Sequence, residues 1–378
     1  MERQIHVLRT DISKAISFTV FGDRGKVLRR GKIKTGGKPY RQGEEHLWRY
    51  DDEIEKKVVF KYRKIVSKPI PLCAYLPDLK IRIGKGALFV DFYVHGLKKT
   101  GKMDTLTLKS KEFRYRGGKI DFYVYAQKKN KNRKYKLILA FDGQNLFSKR
   151  GVGNYTDKND PYGSWQIDQI LSRIEKEKET PYLVVAMDNA NPNRDRDLTM
   201  SENFGKINRE YTDNKRFFHG KLELIGEKIV QDLFPYLKEN YEIDWDDVGV
   251  IGASSGGLAA YYMGTKYKEM FSYVFAFSPA LLLFRKEDLD SLIENEGEYP
   301  YVFFSGGSES LLEDAITGYV KSIYPLIVSR IGSATLHIEE EYEHNEIAWR
   351  YVFASAMSDY FAQKSRNSIN SSNESVLK

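Results

Sequence analysis

Between residues 1 and about 103, apolar and polar positions alternate in short runs: AISFTVFG, KVVFKYRKIV and ALFVDFYVHG. Alternation with a period of two predicts half-buried strands, and no helix-length amphipathic stretch interrupts them, so this part reads as a small β-sandwich. The segments RRGKIKTGGKPYRQG and PDLKIRIGKG read as connections between strands. Two further candidate strands, DTLTLKSKEF and KIDFYVYA, lead to a lysine-rich turn, QKKNKNRK.

Beyond that turn the pattern changes. Apolar runs KLILAF, YLVVAMD, VGVIGAS, YVFAFS, YVFFSGG and ATLHIEEEY now alternate with segments long enough for helices. One of these places Trp165, Ile170, Leu171 and Ile174 on one face; another spaces Leu222, Ile225, Ile229, Leu233 and Leu237 by three or four. Strands alternating with helices predict a mainly parallel sheet covered on both sides, an α/β architecture. The chain therefore divides into a β-rich N-terminal domain, 1–103, and an α/β domain, 104–365. Residues 366–378 are polar and low in complexity, which predicts an unstructured tail.

Composition narrows the class without changing this outline. Hydrophobic residues make up 41% of the 378 and charged residues 30%, too apolar a balance for a disordered chain. No run approaches the length needed to span a bilayer, and the N-terminus has no signal-peptide core, so cytoplasmic residence is the expectation. A single cysteine, Cys73, excludes an internal disulfide and a multi-cysteine metal site. The net charge of +8 is uneven: residues 1–103 carry 24 Lys and Arg against 11 Asp and Glu, and the remainder is net negative. Such a basic patch suits an anionic ligand or polymer, but no nucleic-acid module accompanies it, and a solvated lysine-rich surface is the favoured account. Neither a dinucleotide-binding nor a Walker-type glycine pattern occurs. No cofactor and no metal is expected.

The chemistry concentrates at VGVIGASSGG, residues 248–257. A strand precedes it and a helix-forming stretch, LAAYYMGTKYKEM, follows it, the context of a G-x-S-x-G nucleophile elbow with Ser254 at the apex. So sharp a turn leaves no room for side chains two residues to either side, which accounts for Gly252 and Gly256. A serine hydroxyl needs a histidine base, and the histidine needs a carboxylate, in the chain order serine, acid, histidine. Two histidines follow Ser254. His337 falls inside a predicted strand; His344 falls just past its end, where such sheets carry their chemistry, and is the candidate base. The acid belongs after the strand YVFFSGG. Glu309 lies two residues past it, and Asp314, expected inside the next helix, is the alternative. Oxyanion donors would be the backbone N–H groups of Ser255 and of Gln144, the latter in the turn DGQNLF. Arg194 and Arg196, on the loop after VVAMD, are candidate substrate-binding residues, or solvated loop charges.

DGQNLF, SWQID, VVAMDN, PYLKENYEID, GASSGG, FSPA and HNEIAW, in this order across roughly residues 104–365, resemble the putative-esterase family of α/β-hydrolases. That family includes esterase D-like enzymes, feruloyl and acetyl-xylan esterases, siderophore (enterochelin) esterases and mycolyltransferases. The resemblance implies an α/β-hydrolase fold, with Ser254 as nucleophile, His344 as base, and Gln144 and Ser255 as oxyanion donors. Phe141 stands where many relatives have histidine and Ser255 where many have a bulkier apolar residue, differences that bear on the pocket. A β-domain ahead of the catalytic one matches the layout of siderophore and some polysaccharide esterases. The expected activity is hydrolysis of a small-molecule or saccharide ester, a siderophore or a sugar or phenolic ester, through an acyl-enzyme. The alternatives are acyl transfer to an alcohol on the same fold, and a non-catalytic binding protein that uses the basic N-terminal domain.

Overall fold

The computed structural model describes residues 2–9, 15–34, 44–84, 86–95, 100–128, 133–148, 163–212, 217, 219–293 and 297–376. Parts of the predicted connection 29–43 and of the lysine-rich turn 127–134 lie outside them. The chain forms two compact units. The first takes residues 1–98 together with 166–177 and 350–378; the second takes 99–165 and 178–349.

In the first unit the described strands are β1 (Glu2–Arg9), β2 (Ile16–Phe21), β3 (Val27–Ile33), β4 (Glu44–Asp51), β5 (Lys57–Tyr62), β6 (Ile65–Val66), β7 (Ile70–Pro71), β8 (Asp78–Gly84) and β9 (Ala87–Tyr93). One sheet has the order β4-β1-β8-β9, the other β3-β2-β5-β6 with β7 also on β5. The Trp48 ring of the first sheet meets Phe18 and Phe60 of the second at 5.7 and 6.3 Å, so the two sheets face each other as a sandwich. PDLKIRIGKG is not a connection but carries β8. Its Leu79 and Ile81 are fully buried while Lys80 and Arg82 alternate with them, and this period-two pattern outweighs the flanking Pro and Gly. Several cations of this basic segment are paired within the unit: Arg3 with Asp52, Arg29 with Glu55, Arg82 with Asp91.

The second unit is built on an eight-stranded sheet of β10 (Gly101–Lys109), β11 (Lys119–Gln127), β12 (Tyr135–Ala140), β13 (Tyr182–Met187), β14 (Ile243–Ala253), β15 (Tyr273–Phe277), β16 (Tyr301–Gly306) and β17 (Ala334–Ile338). Their order is β10-β11-β13-β12-β14-β15-β16-β17. From β13 to the β17 edge all neighbours are parallel; β10 and β11 are antiparallel. All six residues of β13 and all six of β16 are buried, the signature of a sheet covered on both faces.

The described helices are α1 (Ile167–Lys178), α2 (Arg194–Asp197), α3 (Leu222–Lys228), α4 (Phe234–Asn240), α5 (Ser255–Lys266), α6 (Lys286–Asp290), α7 (Leu311–Ile331) and α8 (Glu346–Val376). A π turn, Ile229–Leu233, links α3 to α4, and the predicted stripe Leu222, Ile225, Ile229, Leu233 and Leu237 is buried in the core of the sheet. Helix α8 continues to Val376, through most of the predicted unstructured tail. No Gly or Pro interrupts residues 346–378, and once its N-terminal turns are packed the helix extends without a second nucleation cost.

Candidate active site

Strand β14, buried from Asp247 onward, ends at Ala253, and α5 begins two residues later; Ser254, between them, has φ 55° and ψ −125°. That conformation is unfavourable for any residue with a Cβ and is held by its neighbours. The Ser254 N–H donates to the Phe277 carbonyl at 3.0 Å, and the Ala280 N–H donates to the Ser254 carbonyl at 2.9 Å. A Cβ at Gly252 would overlap the Gly256 backbone, so only glycine lets the strand fold back this tightly. At Gly256 a Cβ would lie 3.0 Å from an Asp142 carboxylate oxygen and 3.2 Å from Phe141 Cβ. The turn after β12 is therefore pressed against the first turn of α5, which carries Ser255, itself 4% exposed.

This DGQ turn is a 3-10 turn, Gly143–Asn145, entered through Asp142 at φ 56°. The loop after β13 fixes it from several sides. Arg194 grips the Asp142 carboxylate with two bonds, Nε at 2.6 Å and Nη2 at 2.7 Å. The Asp142 N–H donates to the Asn189 side chain at 3.1 Å, and the Asn189 N–H donates to Gln144 Oε1 at 3.1 Å. On the other side Asn145 Nδ2 donates to Glu346 at 3.0 Å. Although burial works against its charge, the Asp142 carboxylate, with Asp195 and Glu346 beyond it, raises the Arg194 pKa above its ordinary value. Both arginines expected to meet substrate have partners inside the protein: Arg196 Nε donates to the His219 carbonyl at 3.1 Å, and its guanidinium lies 4.6 Å over the Tyr115 ring.

At the far side of the elbow, β16 is followed by Gly307 and Ser308 and β17 by the loop that carries His344. The Ser308 hydroxyl donates to the Glu340 carbonyl and the Glu309 N–H to the Tyr342 carbonyl, tying the two loops together. Asn345 accepts from the N–H groups of Ile347 and Ala348 and so starts α8 directly after His344. His337 lies inside β17, as expected. His344 Nδ1 is 2.6 Å from Glu313 Oε2. With that carboxylate ionised, Nδ1 carries the proton and Nε2 is left as the basic nitrogen.

The carboxylate at the histidine is thus Glu313, not Glu309 or the alternative Asp314. Both of those are exposed, whereas Glu313 is 1% exposed. The reason lies in how α7 begins. Ser310 is its N-cap and accepts the Glu313 N–H at 3.2 Å, which places Glu313 in the first turn on the face turned to the sheet and Asp314 one step round towards solvent. SLLE has the spacing of a capping box, the signal that could have pointed to this residue. Glu313 Oε1 accepts from the Ser278 hydroxyl at 2.6 Å and from the Gly307 N–H at 2.9 Å. Ser278 sits between Phe277 and Ala280, which hold the Ser254 backbone, so a continuous set of bonds joins the elbow to the Glu313–His344 pair.

A comparison with protein families matches residues 114–356 to the family described as "Putative esterase". The chain belongs to this family. These esterases are carboxylic ester hydrolases of the α/β-hydrolase fold, and the sheet order and elbow of the second unit conform to it. No match is found among proteins of curated function. Among solved structures, the esterase is similar to the siderophore hydrolase EstA of Aspergillus nidulans, at 15% identity over 68% of this chain and 94% of that one, with a TM-score of 0.51. The enterobactin esterase FES of Shigella flexneri aligns over 96% of this chain and 93% of its own at 12% identity and a TM-score of 0.49. A ferulic acid esterase of Anaeromyces mucronatus aligns over 69% and 90% at 17% identity, also at 0.49. At such identity the first of these speaks to the fold. Among the described residues of the esterase, no helix is long and apolar enough to cross a membrane, and no cluster of His, Cys, Asp and Glu could hold a metal ion.

Proposed function

We propose that this esterase cleaves its ester through an acyl-enzyme on Ser254, with His344 as general base and acid and Glu313 as the carboxylate that orients it. Ser254 Oγ attacks the ester carbonyl as its proton passes to His344 Nε2; the imidazolium, stabilised by Glu313, returns that proton to the leaving alcohol. The N–H groups of Ser255 and Gln144 receive the oxyanion, and water repeats the cycle on the acyl-enzyme. The observation that carries this reading is the strained Ser254 turn, bonded on both sides of Ser278, whose hydroxyl ends on the carboxylate at His344. The test is covalent labelling. A fluorophosphonate is expected to form one adduct, mapped by mass spectrometry to Ser254; an adduct elsewhere, or none, overturns the assignment.

For the substrate, the family resemblance supports a siderophore or a sugar or phenolic ester. A panel of feruloyl, acetyl-xylose and catecholate-trilactone esters separates these by kcat/KM, and an added acceptor alcohol separates hydrolysis from acyl transfer. Arg194 acts here on Asp142 and, through it, on the turn that aims the Gln144 N–H. A lysine at 194 cannot make the same two-pronged bond. Arg194→Lys is therefore expected to lower kcat about tenfold while leaving KM nearly unchanged. A rise in KM confined to anionic esters would instead put Arg194 on the substrate.

A further inference from the structure

Ser278 follows β15 and is not in the chemistry so far, yet it is 2% exposed and held at φ 37°, in the left-handed region. A residue with a Cβ is costly there, and glycine would relieve the cost, so a serine implies a use for its hydroxyl. Two bonds define that use. Trp349 Nε1 lies 3.2 Å from Ser278 Oγ, and Oγ lies 2.6 Å from Glu313 Oε1. An indole N–H can only donate, so it occupies a lone pair of Oγ and leaves the hydroxyl proton directed at Glu313. The same Trp349 packs edge to face against the His344 ring at 5.0 Å and is itself walled by Trp165 at 5.9 Å. Tryptophan, serine, glutamate and histidine thereby form a closed set in which each fixes the next.

We propose that Ser278, polarised by Trp349, is a positioning residue for the reaction: its hydroxyl locks the rotation of the Glu313 carboxylate so that Oε2 is presented to His344. The proposal rests on the triad reading above and adds to it the element that holds the acid. Among the described residues, the second donor to Oε1 is the Gly307 N–H, which leaves the Ser278 hydroxyl as the one side-chain group bonded there. Without Ser278 the carboxylate keeps one donor of two and can turn away from the ring.

The test uses Ser278→Ala and Ser278→Gly in the full chain, with a p-nitrophenyl ester. Both remove the hydroxyl, and glycine also suits the backbone. Each is expected to lower kcat about tenfold to a hundredfold, the worth of a hydrogen bond to a charged group, with KM nearly unchanged. Added to Glu313→Gln, Ser278→Gly is expected to cost almost nothing more, because its effect passes through the same carboxylate. Wild-type kcat in Ser278→Gly, or losses that multiply in the double variant, overturns the proposal while leaving the triad standing. Wild-type kcat in Glu313→Gln alone overturns the triad and this inference together.

Discussion

Ser254→Ala is expected to lower kcat on a short-chain p-nitrophenyl ester about a millionfold, the scale seen when the nucleophile of a serine hydrolase is removed. The loss follows from the pathway itself: without Oγ there is no acyl-enzyme, and only the oxyanion donors and substrate binding remain, worth roughly a thousandfold to ten-thousandfold over water. Stability is the control. Alanine at φ 55° bears the same Cβ strain as serine, and Ser254 Oγ is not part of the backbone bonds to Phe277 and Ala280 that hold the turn. The urea midpoint of the variant should therefore stay close to that of the parent. A folded Ser254→Ala protein that keeps a tenth or more of the activity would remove the nucleophile from this serine.

The parts of the site that were readable from the chain are those whose geometry is local. The elbow announces itself because Gly252, Ser254 and Gly256 each answer to a steric demand within five residues, and His344 stands out because it lies between a strand end and a helix start. The carboxylate that lies beside His344 could not be placed in the same way. Counting residues past β16 favours Glu309, but what decides is the rotation of α7 about its axis, and Ser310 sets that rotation by capping the helix. A one-residue difference in register exchanges a buried Glu313 for an exposed Asp314. The roles of Ser278 and Trp349 depend on contacts between residues 71 apart, which no periodicity reports.

Long-range contacts also set the composition of the first unit. Its strands are legible from alternation, but its inclusion of residues 166–177 and 350–378 rests on long-range packing. Gln166 shows the kind of contact involved: its side-chain oxygen accepts from the Phe92 N–H at 2.7 Å. Arg350 likewise donates to the Val90 carbonyl at 3.1 Å and stands by Asp91 at 3.3 Å. Despite burial, which raises a carboxyl pKa, Arg350 and Arg82 hold that of Asp91 below its ordinary value. Helix periodicity identifies α1 without saying which unit it joins.

Glu313→Gln against Glu309→Gln separates the two acids most sharply. Glu309 is exposed and engages the His344 loop through its backbone N–H, so Glu309→Gln is expected to keep kcat within about twofold of the parent, as surface changes usually do. Glu313→Gln has no such latitude. Two donors, the Ser278 hydroxyl and the Gly307 N–H, converge on the Oε1 position, so the amide oxygen of the glutamine must settle there. Its NH2 group then occupies the Oε2 position, 2.6 Å from Nδ1 in the parent, and can only donate. His344 is driven to accept at Nδ1 and to carry its proton on Nε2, the tautomer that cannot take a proton from Ser254. An inversion of this kind costs a serine hydrolase about ten-thousandfold in kcat with the fold intact. If the large loss falls on Glu309→Gln instead, the orienting carboxylate is Glu309, and the buried Glu313 serves only to hold its loops.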